Sequence, residues 1–254
     1  MEAGALGKKI FFVYPPQVLT EVVDVLARQE FEVYLSRDHA KLRRCVSAFP
    51  DSILFINLDD GLSEADWRVY IQSMRADAPS VGIGIVTLND NAGLREFYLM
   101  NAQVQCGFII LKIGATKTAE ILAKTLEANE ARGRRKFVRA VCAPGIGQCL
   151  ANDEGATIKA ELTDLSSAGM AIRIEGGGSV KVGTVLRDMT ITIKGQRLLV
   201  SGVVVAKRAD SSGSEPVSVI MFSPGSLDEA RREKLKTLVF RVNQAAMDII
   251  LERA

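Results

Sequence analysis

The chain has 254 residues, 48% hydrophobic and 24% charged, and its 32 Lys and Arg nearly balance 30 Asp and Glu for a formal net charge of +2. This is the composition of a folded globular protein with room for two ordinary domains. It excludes a global positive field that would gather nucleic acid, so any recognition of anions has to be local. No apolar run approaches the roughly 18 residues a membrane span needs. The opening MEAGALGKKIFFVYPP does not read as a secretory signal, because IFFVY is short and ends at two prolines.

Residues 8–130 alternate between two periodicities. Short β-branched and aromatic runs occur at 9–14 (KIFFVY), 31–35 (FEVYL), 52–58 (SILFINL), 81–88 (VGIGIVTL) and 106–112 (CGFIILK). Between them lie helical stretches such as 18–29, with Val18, Val22, Val25 and Leu26 on one face. Ser63 precedes Glu64 and Asp66 and suits the cap of a helix carrying Trp67 and Tyr70, and Asn89 or Asp90 suits the cap of the next. The apolar continuity of the third to fifth runs predicts strands buried on both faces, hence a parallel α/β sandwich over residues 1–130.

Residues 131–139 form a basic connector, with RGRRKFVR at 132–139. Beyond it, over 140–254, strands follow one another without helices between them: 156–162, 170–175, 184–194, 197–207 and 217–222. Turns at GIGQ (145–148), GGGS (176–179), KGQR (194–197) and DSSGSE (210–215) punctuate them, the texture of a small antiparallel barrel or sandwich. A closing helix over 227–254 is expected, with Ser226 as cap and Leu235, Leu238, Val242, Ala245 and Ile249 at heptad spacing. At about 1.5 Å per residue it is long enough to leave a small barrel and reach the first domain or a second copy of the chain, or it lies wholly on its own barrel.

Four cysteines, Cys45, Cys106, Cys142 and Cys149, include no CxxC pair, and the only histidine is His39. They read as reduced thiols of a cytoplasmic protein, and no metal site is expected. No Ser/His/Asp or Cys/His set and no phosphate-binding loop of the Walker type is present, which argues against an enzyme.

The chemistry concentrates in two motifs. Arg135 and Arg139 stand four apart, and each guanidinium is a planar fork suited to phosphate oxygens or to the O6 and N7 edge of guanine. Asp164 offers a carboxylate acceptor, Ser166 a hydroxyl in a turn, and Gly169 a place where backbone can take a positive φ or approach a ligand closely. Together they suit a small, anionic, guanine-bearing ligand.

Two resemblances follow. RxxxR (Arg135 to Arg139) followed by DxSxxG (Asp164 to Gly169) resembles the PilZ domain over residues 134 to about 245. The resemblance implies a six-stranded barrel with a C-terminal helix that binds cyclic di-GMP in a bacterial second-messenger pathway. Arg135 and Arg139 would clamp the ligand, and Asp164, Ser166 and Gly169 would form the platform. Arg134 would accompany a stacked pair of ligand molecules. Residues 8–128 resemble a receiver domain of two-component signalling, implying a five-stranded flavodoxin-like parallel sheet. Asp59 and Asp60 stand at the end of its third strand, Thr87 at the end of the fourth and Lys112 at the end of the fifth. The acidic pair expected after the first strand is replaced by Tyr14, Pro15 and Pro16, so this pocket reads as degenerate and not phosphorylated.

The expectation is a cyclic di-GMP receptor that rearranges its domains and signals to a protein partner, with no nucleic acid and no membrane insertion. The C-terminal helix or the receiver-like domain would serve a homodimer. The alternatives are a phosphorelay response regulator with a barrel output domain, and a ligand-free PilZ-fold scaffold.

Overall fold

The computed structural model describes residues 7–133, 135–153, 155–209 and 216–254. The expected turn at 210–215 and Arg134 lie outside them. Packing divides the chain into two units, one of residues 1–136 with 244–254 and one of residues 137–243.

The first unit is a parallel sheet of β1 (Ile10–Val13), β2 (Val33–Ser36), β3 (Ile53–Asn57), β4 (Gly82–Thr87) and β5 (Phe108–Ile110), in the order β2-β1-β3-β4-β5. That is the flavodoxin-like winding, and it fits a receiver-like domain. Every residue of β1 and β3 is buried, as expected of strands covered on both faces. The helices are α1 (Gln17–Arg28), α2 (His39–Val46), α3 (Glu64–Asp77), α4 (Ala92–Glu96), continued by a π-helical turn over Phe97–Asn101, and α5 (Ala115–Ala128). Phe11, Val13, Leu54, Ile56, Ile83 and Ile85 share one core with Leu42 of α2 and Trp67, Ile71 and Met74 of α3. Ser63 caps α3 by accepting from the Asp66 amide at 3.2 Å. The cap of α4 is Asn91, which accepts from the Leu94 amide, and not Asn89 or Asp90. Asn91 has the extended backbone of an N-cap.

The second unit contains β6 (Arg139–Val141), β7 (Gly147–Asp153), β8 (Ala156–Ser166), β9 (Gly169–Ile174), β10 (Val185–Ile193), β11 (Gln196–Ala209) and β12 (Pro216–Phe222). β8, β7, β10, β11, β12 and β9 close on each other as a six-stranded antiparallel barrel. β6 pairs with the far half of β8, beyond the stretch that β7 occupies. Leu162, Leu165, Met189, Ile191, Val200 and Ile220 fill the interior.

The last helix, α6 (Glu229–Arg253), serves both units. Its cap is Asp228, which accepts from the Arg231 amide at 2.7 Å; Ser226 falls in a preceding 3-10 turn. Leu235, Leu238, Val239 and Val242 are buried in the barrel core. Met247 and Leu251 are buried in the core of the α/β unit. The expected heptad therefore breaks after Val242, and Ile249 is exposed. The cause is a change of receiving core along one helix. The division of the chain accordingly falls at Asn243 and Gln244, inside the expected 140–254 domain, because Gln244 also bonds both the amide and the carbonyl of Leu35 on the β2 edge.

Candidate functional site

At the carboxyl ends of the parallel strands, the residue that closes β3 is Asn57, with Asp59 and Asp60 in the turn beyond it. The Asn57 amide donates to the Tyr14 carbonyl at 2.8 Å, and its oxygen accepts from the Asp59 amide. Asp59 is held by the Thr87 hydroxyl at 2.8 Å and by the Leu88 amide at 2.5 Å. Tyr14, at φ 52°, lays its ring over Gly61, where an added Cβ would come within 2.4 Å of it. The same ring reaches His39 (Oη to Nδ1, 3.0 Å) and meets Trp67 edge-on. The Trp67 indole N–H donates to the Asp60 carbonyl. Asp60 lies 3.9 Å from Arg37, and Lys112 is exposed in the 3-10 turn Leu111–Ile113. Of the four pocket residues, only Asp59 and Thr87 are joined by a side-chain hydrogen bond. Tyr14, which follows β1 where the receiver resemblance calls for acids, places its ring over the turn that follows β3. Among the described residues, no group of three His, Cys, Asp or Glu could hold a metal ion.

The basic connector divides into separate roles. Arg132 stacks on Phe31, its Cζ 4.4 Å from the ring centroid, and reaches Glu127 at 3.5 Å. It serves the α/β unit. Arg135 is exposed. Arg139 opens β6, is exposed, and pairs in register with Ser166, while Val141 pairs with Asp164. The Asn243 side chain donates to the Arg139 carbonyl at 3.2 Å and fixes the start of β6. Strand pairing thus brings Arg139 directly beside the DxSxxG segment.

That segment is the end of β8 and its turn into β9. Strict alternation from the buried Leu162 would aim Asp164 into the barrel. A register shift between Leu162 and Asp164 inserts Thr163 as a bulge, so that Leu165 points inward and Asp164 outward. Among the described residues the buried Thr163 hydroxyl has no hydrogen-bond partner. The Asp164 side chain retains 16% exposure and its Oδ2 is paired with Arg208 of β11. Ser166 is buried; its hydroxyl donates to the Gly169 carbonyl at 3.1 Å and accepts from the Ala168 amide at 3.3 Å, closing the turn. Gly169 does not take a positive φ. A Cβ there would stand 2.3 Å from the Ile220 carbonyl oxygen, so the close approach of β12 requires glycine at this position. Beneath the site, burial, reinforced by Asp164 and Glu161, pushes the Cys142 thiol up to about 11.

Sequence reasoning missed Arg208 and the Thr163 bulge. Arg208 lies 44 residues from Asp164 in no motif, and only barrel closure brings them together. The bulge had one faint trace, the two intervening residues between Leu162 and Leu165 where alternation allows one.

The PilZ domain family profile matches residues 133–241. A search of curated proteins found no match. Among solved structures, the chain is similar to the PilZ domain with c-di-GMP of YcgR from Escherichia coli, at 16% identity and a TM-score of 0.38, covering 46% of this chain and 96% of that one. It is similar to YcgR in complex with c-di-GMP from the same organism at 15% identity and a TM-score of 0.41, covering 48% of this chain and 52% of that one. It is similar to the K. pneumonia MrkH–c-di-GMP complex at 17% identity and a TM-score of 0.34, covering 48% and 55%. The chain thus spans about half the length of the last two. With the family profile matched across the closed barrel, residues 133–241 of this chain are a PilZ domain.

Proposed function

We propose that the chain is a cyclic di-GMP receptor and not an enzyme. The observation that carries the reading is the β6–β8 pairing, which sets the exposed Arg139 beside Ser166 and one strand from Asp164. Arg139 and Arg135 grip phosphate and guanine edges, and Asp164 accepts from the guanine N–H groups. Arg134 makes the site one for a stacked pair of ligand molecules. Ser166 and Gly169 act at one remove, by holding the turn that presents Asp164.

Calorimetric titration of cyclic di-GMP into the full chain tests this, with Arg135→Ala/Arg139→Ala alongside. Micromolar or tighter binding is expected, and each lost clamp should cost about 1.5–3 kcal/mol, tenfold to over a hundredfold in affinity. The molar ratio reports on the stacked pair. No binding by the wild type would overturn the reading.

On this reading the ligand orders the connector, because the clamp and the link between the units are one segment. The arrangement of the units then shifts by as much as the ligand's differential affinity for the two states allows, and a protein partner reads the change. A phosphorelay role is disfavoured by Asn57 at the end of β3 and by the Tyr14 ring over the following turn. Acetyl phosphate with Mg²⁺ should leave the chain unlabelled.

A further inference from the structure

Asp164 poses a problem for any ligand that carries two phosphates. A carboxylate facing such an anion repels it, and a freely rotating carboxylate meets a guanine poorly. Guanine presents two donors on one edge, N1–H and the exocyclic amine, and a carboxylate matches them only when its plane is held in line. The structure contains a group that answers both difficulties. Arg208, on β11, holds Oδ2 of Asp164 with one terminal nitrogen. Its guanidinium has no other hydrogen bond among the described residues, and its side chain is 47% exposed against 16% for Asp164. Oδ1 of Asp164 has no partner among them either. One oxygen is therefore fixed from the side, the other has no partner among the described residues, and the formal charges of the pair cancel.

We propose that Arg208 is a specificity-determining residue of the cyclic di-GMP site, setting the Asp164 carboxylate in line with the N1–H and amine edge of guanine. This rests on the reading of Asp164 as the guanine acceptor. Arg208 acts through Asp164 and is a positioning residue. Arginine suits this better than lysine, because its planar fork fixes the partner's orientation as well as its charge. The discriminating probe is cyclic di-IMP, which keeps the ring, the phosphates and N1–H but lacks the exocyclic amine.

The experiment measures the affinity of both cyclic dinucleotides for the full chain and for Arg208→Met, Arg208→Lys and Asp164→Asn, with thermal melting of each. The wild type should prefer cyclic di-GMP at least tenfold. Arg208→Met should lower cyclic di-GMP affinity about tenfold and cyclic di-IMP affinity much less, so that the preference narrows. Arg208→Lys should recover part of the affinity but not the preference. Asp164→Asn combined with Arg208→Met should narrow the preference no further than Asp164→Asn alone. Equal losses for both ligands, or an unchanged preference in Arg208→Met, would overturn the role of Arg208 while leaving the receptor reading standing. Should Arg208→Met fail to fold, the comparison of Arg208→Lys with wild type decides the same point. Failure of the wild type to bind cyclic di-GMP would instead overturn the receptor reading on which the inference depends.

Discussion

A methyl group at Gly169 would stand 2.3 Å from the Ile220 carbonyl oxygen, on backbone that cannot move without opening the β9–β12 ladder. Gly169→Ala should therefore cost about 1–3 kcal/mol of barrel stability, read by urea denaturation. Elsewhere in the motif the Ser166 hydroxyl closes its own turn, whereas Oδ1 of Asp164 has no partner among the described residues. That these residues stand at a fixed spacing was legible in the sequence. What each one does within the barrel was less so. A tight backbone approach, a bulge that turns one side chain from inside to outside, and an ion pair across 44 residues depend on strands meeting, and one-dimensional spacing does not encode that. In the α/β unit the loss of the acids after β1 was plain from Tyr14, Pro15 and Pro16, but the seat of the Tyr14 ring over Gly61 was not.

Among the elements, those with strong periodicity were legible and those with weak periodicity were not. The five parallel strands and the long strands β8, β10, β11 and β12 follow their apolar runs closely. β7 was missed because GQCLAND carries only Cys149, Leu150 and Ala151 as apolar residues, with Leu150 outside and its two neighbours buried. β6 was missed because three residues beside a cationic run hold no pattern at all. α6 was found, but its buried stripe changes face, and a heptad template cannot follow a helix that serves two cores. Gln244 is the residue of that helix with the sharpest role, its side chain donating to the Leu35 carbonyl at 3.0 Å and accepting from the Leu35 amide at 2.8 Å. It completes an otherwise open sheet edge. Gln244→Ala should cost on the order of 1 kcal/mol and accelerate hydrogen exchange at the Leu35 amide, with no change at the buried amides of β3.

For the molecule as a whole, the informative feature is that its first unit is discontinuous in sequence. The chain passes from it into the barrel at Lys136 and Phe137 and returns at Asn243 and Gln244. Met247 and Leu251 are 2% and 7% exposed within the α/β core, so residues 244–254 are structural parts of a unit that otherwise ends a hundred residues earlier. Ending the chain after Asn243 should lower the midpoint of the α/β unit's unfolding and expose apolar surface to a dye such as ANS, while the barrel's β-sheet signal persists. An unchanged midpoint would mean that the helix end adds nothing to that core.

The same discontinuity fixes an order of events during synthesis. The α/β unit leaves the ribosome first, yet the side chains that close its core are translated only after the whole barrel. Domains usually fold as they emerge, the earliest first. Here the barrel can finish while the earlier unit waits with an open groove and a bare β2 edge, so the period of greatest exposure to aggregation or to chaperones belongs to the end of the chain that was made first.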